Sequence, residues 1–203
     1  LPARRIGVLA LQGDFKEHAK MLREIGAEPI EVRRAEQLPD LDGLIIPGGE
    51  STAIGKLLVS YDLLAPLKRL IASGRPVWGT CAGLILLAKD IGGLRQPLVG
   101  VLDVVVRRNA FGSQLDSFET DISMPEIADE PLHAVFIRAP IVESVGDSVR
   151  VLGALKDGTI VAVRQGNLLG TSFHPELTGD PRFHLYFLDM VEAESADPRL
   201  SRV

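Results

Sequence analysis

A chain of 203 residues with 46% apolar content has room for one domain with a sizeable core, or at most two small ones. Its net charge of −5, without acidic runs, lacks the basic stripe that a nucleic-acid binder needs. One cysteine cannot form an internal disulfide, which fits a cytoplasmic home, and no stretch approaches the roughly 18 apolar residues of a membrane span.

Arg4-Arg5 before an apolar run has the outline of a signal peptide, but the run is too short and meets Gln12-Gly13-Asp14. Residues 6–11 read instead as a strand covered on both faces. Asp14 is placed to cap a helix carrying Phe15, Ala19, Leu22 and Ile25 on one face, stopped by Gly26. Residues 30–33 and 44–46 make two further strands, the second ending at Pro47-Gly48-Gly49. Ser51 or Thr52 opens a helix with Ile54, Leu57 and Leu58, and Leu63, Leu64, Leu67, Leu70 and Ile71 make another, closed by Gly74. Residues 76–79 are a short buried strand and residues 82–89 begin an apolar helix. This alternation predicts an α/β fold: a single three-layer domain over residues 1–203, with a doubly wound, mostly parallel, flavodoxin-like sheet. Ligands then gather beyond the carboxyl ends of the strands.

The second half changes character. Residues 101–107, 117–122, 134–138, 149–155, 159–164 and 168–173 are strand-like, punctuated by turns such as Asp157-Gly158 and Gln165-Gly166-Asn167. They predict an additional antiparallel region. Residues 180–192 form a closing helix with Phe183, Phe187, Met190 and Val191 as its apolar stripe.

Gly79-Thr80-Cys81-Ala82-Gly83 is a Gly-x-Cys-x-Gly version of the sharp strand-to-helix elbow. Small neighbours let two backbones come close, and a cysteine in such a turn points outward at a helix N-terminus, which favours thiolate. A lone cysteine can also be a buried apolar residue. The flanking glycines and the switch from strand to helix make Cys81 the candidate nucleophile.

Its candidate partner is His174-Pro175-Glu176, just after a buried strand. Residues i and i+2 of an extended chain face the same way, so Glu176 can hold one nitrogen of His174 and leave the other for Cys81. That is a Cys-His-Glu triad by role, although the same tripeptide on its own also suits a surface turn. His18, His133 and His184 are read as structural or solvated.

The loop from Pro47 to Thr52 also joins a strand to a helix, without the pattern of a Walker loop. Its paired glycines let the Gly49 N–H join that of Ala82 as an oxyanion hole, unless the loop is an ordinary turn. No His/Cys spacing suits zinc and nothing resembles a dinucleotide fingerprint, so no metal or cofactor is expected.

The elbow and His174-Pro175-Glu176 together resemble the class I (triad) glutamine amidotransferases. The resemblance narrows through Ala10-Leu11-Gln12-Gly13, Pro47-Gly48-Gly49-Glu50-Ser51-Thr52, the segments 108–112 and 114–119, and Phe136-Ile137-Arg138-Ala139-Pro140. These are similar to the glutaminase subunits of two-component pyridoxal 5′-phosphate synthases, over nearly the whole chain. Ser113 departs from the arginine usual in that family. The resemblance implies hydrolysis of L-glutamine to glutamate and ammonia, passed to a barrel-shaped synthase partner. It also implies glutamine binding by Gly48, Gly49, Glu50, Arg108, Ile137 and Arg138, and a link from Gln12 to the partner interface. The chemistry agrees, since an α-carboxylate wants a guanidinium and an α-ammonium wants a carboxylate or carbonyls. Arg107-Arg108 is also compatible with an exposed pair. Two other functions stay open: a self-sufficient γ-glutamyl cysteine hydrolase and a non-catalytic binding subunit.

Overall fold

In the computed structural model, which describes residues 2–108 and 117–196, strands and helices alternate through the first half of the chain. In order they are β1 (Arg5–Leu9), α1 (Phe15–Glu24), β2 (Glu28–Val32), β3 (Gly43–Ile46), α2 (Ser51–Ser60), α3 (Leu64–Ala72), β4 (Val77–Thr80) and α4 (Ala82–Leu87). The second half supplies β5 (Ala88–Asp90), β6 (Leu102–Arg107), β7 (Ser117–Ile122) and β8 (Leu132–Ile137). After them come β9 (Ile141–Val145), β10 (Arg150–Ala154), β11 (Ile160–Gln165), β12 (Leu168–Thr171) and α5 (Arg182–Ser195).

Ten strands share one sheet, ordered β2-β1-β3-β4-β12-β11-β9-β6-β5 with β10 beside β11. The run from β2 to β12 is parallel throughout and has the strand order of flavodoxin-like folds. Beyond β12 the pairing is antiparallel as far as β6, whose outer neighbour β5 is parallel to it, and β7 and β8 form a separate antiparallel ribbon.

Alternation along each strand divides the core between the two faces of the sheet. Leu44, Ile46 and Val77 pack with Ile54, Leu58, Leu67 and Leu84 of α2, α3 and α4. Ile45 and Trp78 face the other way, onto Leu22 of α1 and Phe183 and Phe187 of α5, where Phe136 of the ribbon also packs. The predicted stripe of α5 is buried in full. Among the described residues no helix is long and apolar enough to cross a membrane.

Three local expectations are corrected. The helix after the elbow stops at Leu87 because the N–H groups of Val99 and Gly100 bond to the Leu86 carbonyl, and that of Val101 to Leu87. Those carbonyls would otherwise receive the next helical turn; the chain instead leaves as β5, which pairs with β6. β9 was not predicted: its half-exposed residues follow Pro140 and become a strand by pairing with the distant β6. Asp14 occupies the N-cap position of α1 but makes no side-chain capping bond, and its carboxylate points elsewhere.

Candidate active site

β4 and β12 are parallel neighbours paired at Thr80 and Thr171, so both chains leave the sheet at the same edge. The Cys81 N–H donates to the Thr171 carbonyl at 2.7 Å, which carries the pairing one residue beyond the strand. Cys81 then turns with φ 51° and ψ −103°, a conformation rarely held by a residue with a side chain. That turn makes glycine compulsory at two positions. A Cβ on Gly79 would lie 2.5 Å from the Gly83 carbonyl, and one on Gly83 would lie 2.0 Å from the Ile46 oxygen. The elbow is therefore packed backbone on backbone, and the strained cysteine is what lets the chain pass.

His174 arrives at the same edge two residues after Ser172. Its N–H donates to the Val135 carbonyl of β8 at 2.9 Å, pinning it to the ribbon. Pro175 begins a short 3₁₀ turn, Pro175–Leu177, that returns Glu176 beneath the imidazole. His174 Nδ1 and Glu176 Oε1 are 2.6 Å apart, with both side chains almost wholly buried. Burial pushes the imidazole pKa down, but hydrogen bonds to Cys81 and Glu176, together with their charges, lift it to about 10. Burial raises the Glu176 carboxyl, while the bond to His174 pulls the other way. The arrangement favours an imidazolium between a sulfur and a carboxylate. The Cys81 sulfur also lies 3.9 Å from the Ile137 carbonyl.

Gly48 lies against this imidazole, where a Cβ would come within 2.5 Å of Cε1. Its carbonyl accepts from the Asp14 N–H at 3.0 Å. The Glu50 N–H donates to Gln12 Oε1 at 2.7 Å, so the loops after β1 and β3 are buttoned together. The Glu50 carboxylate caps α2, accepting from the N–H groups of Thr52 at 3.1 Å and Ala53 at 2.7 Å. What burial it has opposes ionisation, but those bonds and Arg108, at 3.4 Å, hold its carboxyl below its ordinary range. Arg108 is steadied in turn by Gln96 Oε1 at 3.0 Å and Thr52 Oγ1 at 3.3 Å.

These groups surround a cavity of about 450 Å³. Of the residues proposed from sequence, Gly49, Glu50, Cys81, Ala82, Arg108, Ile137, Arg138 and His174 line it. Gly48 and Glu176 stand behind the wall. Gln12 and Asp14 line it as well. Ser113 and most of the two segments from residue 108 to residue 119 lie outside the described residues.

Sequence reasoning missed two contributors. The sequence offers Asp14 as a cap, yet its Oδ2 is 3.5 Å from His174 Nδ1, and burial raises its carboxyl. Gln96 carries no motif, and only its contacts with Ser51, Thr52 and Arg108 reveal it. Asp14, His174 and Glu176 bring donor atoms within 4.8 Å of one another, the only such metal-sized cluster among the described residues. The 2.6 Å bond between His174 and Glu176 leaves no gap for an ion between those two atoms.

Comparison with known proteins gives the family and the fold. The SNO glutamine amidotransferase family matches residues 8–193. The pyridoxal 5′-phosphate synthase subunit PdxT of Parafrankia sp. (strain EAN1pec) is 60% identical over 196 residues, covering 96% of this chain and 96% of its own. That of Frankia alni is 57% identical over 194 residues, covering 95% and 97%. A crystal structure of glutamine amidotransferase superposes with a TM-score of 0.88 at 49% identity, over 92% of this chain and 98% of that one. PurLQS from Thermotoga maritima shares the fold, with a TM-score of 0.66 at 18% identity over 93% of this chain and 99% of that one. The chain belongs to the SNO glutamine amidotransferase family.

Proposed function

We infer that this chain is a glutaminase, hydrolysing L-glutamine to glutamate and ammonia and supplying the ammonia for pyridoxal 5′-phosphate (vitamin B6) synthesis. The observation that carries the inference is the meeting of Cys81 with the His174–Glu176 pair at adjacent strand ends, beside a cavity of about 450 Å³. Glutamine enters with its carboxamide at Cys81 and its α-carboxylate toward Arg108, while Glu50, Ile137 and Arg138 bound the α-amino end. The sulfur attacks the carboxamide carbon, and N–H groups of Gly49 and Ala82 receive the oxyanion. His174, held by Glu176, gives its proton to the leaving ammonia. It then takes one from the water that cleaves the γ-glutamyl thioester. Side chains and backbone suffice for each step.

The ammonia acceptor is a pyridoxal 5′-phosphate synthase subunit, a barrel-shaped partner in the cytoplasm. Docking of that partner is the switch. The Gly48 carbonyl is held by the Asp14 N–H, and turning the Gly48–Gly49 peptide breaks that one bond, worth about 1 kcal/mol. Glycine makes the turn at little steric cost. Glutamate release measured with and without the synthase subunit tests this function. Turnover rising on addition of the subunit is expected; no turnover in either condition overturns the glutaminase assignment, and equal turnover in both overturns the switch.

A further inference from the structure

Behind the triad lie two histidines that the steps above do not use. His18 of α1 and His184 of α5 are both completely buried. His18 Nδ1 is 2.9 Å from His184 Nε2. On its other side, His18 Nε2 is 3.3 Å from Thr80 Oγ1 and 3.4 Å from Glu176 Oε2. That carboxylate oxygen is buried and makes no hydrogen bond among the described residues, and the same is true of His184 Nδ1. Trp78 packs edge-on against both rings, with centroids 5.5 Å from His18 and 4.9 Å from His184.

The carboxylate decides which nitrogens carry protons. An ionised carboxylate only accepts, so the nitrogen facing it has to be an N–H. His18 is therefore protonated at Nε2 and accepts at Nδ1, which makes the His184 Nε2 the donor. The bare His184 Nδ1 is then a lone pair, which is cheaper to bury unpartnered than an N–H. The opposite tautomers would aim a lone pair at Glu176 and strand an N–H on His184. Burial first, and then the neighbouring His184 and His174, keep His18 neutral, and burial does the same to His184.

We propose that His18 is a positioning residue for proton transfer at His174, its Nε2–H steadying the second oxygen of Glu176 while His184 fixes the His18 tautomer. This rests on the triad assigned under the proposed function. At 3.4 Å the contact is longer than a firm hydrogen bond and shares its donor with Thr80. It acts as a directional electrostatic restraint on the carboxylate, keeping Oε1 aimed at the imidazole.

The test compares His18→Gln, which keeps an N–H near the same place, with His18→Leu, which does not. In the complex with the synthase subunit, His18→Leu should lower kcat for glutamate release about tenfold with KM unchanged. It should also slow the alkylation of Cys81 by iodoacetamide at neutral pH several-fold, and His18→Gln should recover most of both. Wild-type kcat and alkylation in His18→Leu overturn the proposal, and so does equal impairment in the two variants, which would signify lost packing. Nitrogen-15 spectra of histidine-labelled wild-type protein give a check that needs no variant. His18 and His184 should both be neutral Nε2–H tautomers from pH 6 to pH 9, and a charged or Nδ1-protonated His18 overturns the proposal. Alkylation and spectra require no glutamine, so they still decide the role of His18 if glutaminase activity is absent.

Discussion

Thr80 and Thr171 face each other across two parallel strands, and that pairing brings Cys81 and His174 out at one edge of the sheet. Cys81 is one residue past the first threonine and His174 three past the second. The strained elbow aims the sulfur and the 3₁₀ turn aims the ring.

The triad assignment predicts unequal losses. Cys81→Ala removes the nucleophile and should abolish glutamate release in the complex. Glu176→Gln keeps a similar shape but cannot hold the imidazolium, and should leave a remnant lowered by roughly 10²–10⁴-fold. Steady-state glutamate assays on both variants decide the point, and full activity in Cys81→Ala would end the assignment.

The elbow predicts a stability effect. In Gly83→Ala the new methyl meets the Ile46 carbonyl, which is backbone and cannot step aside. The cost should be about 3 kcal/mol or more, seen as a fall in Tm of roughly 6 °C or more. Thermal and urea unfolding measure it, and an unchanged Tm contradicts the packing described.

Two histidines should oppose each other in the pH dependence of stability. His174 is raised to about 10 when folded, so its contribution is complete below its unfolded value near 6.5 and is lost as pH climbs through about 10. His184 is lowered to about 3, so its contribution is complete above about 6.5 and drains away as pH falls toward 3. Tm against pH should therefore flatten on the alkaline side in His174→Gln and on the acid side in His184→Phe.

Glu50 serves the helix and the cavity together. Glu50→Ala removes two bonds to the first turn of α2, for a loss of about 1 kcal/mol. It also removes the Arg108 partner and should raise KM for glutamine more than it lowers kcat. Unfolding and kinetics on the same variant separate the two effects; a purely thermal loss with unchanged KM would confine Glu50 to capping.

What could be read from sequence was local. The apolar runs of β1 and β3 and the two-residue spacing of His174 and Glu176 each reflect constraints between near neighbours, whereas Gly83 is read from the elbow motif although its constraint comes from Ile46 on another strand. β9 exists because β6 is beside it, and α4 ends at Leu87 because residues 99–101 take its carbonyls. Asp14 looked like a cap, as aspartate before a helix should, until the fold brought an imidazole within reach. The link from His18 to His184 joins the buried faces of two helices across a separation of 166 residues, and no periodicity in either helix announces it.

β12 is among the last strands to be made, yet its place is the middle of the sheet, between β4 and β11. A nascent chain halted before that strand has its sulfur synthesised and its base still missing. On the proposed mechanism such incomplete copies leave the cell's glutamine pool untouched, and turnover doubles as a report that the final third has been threaded home.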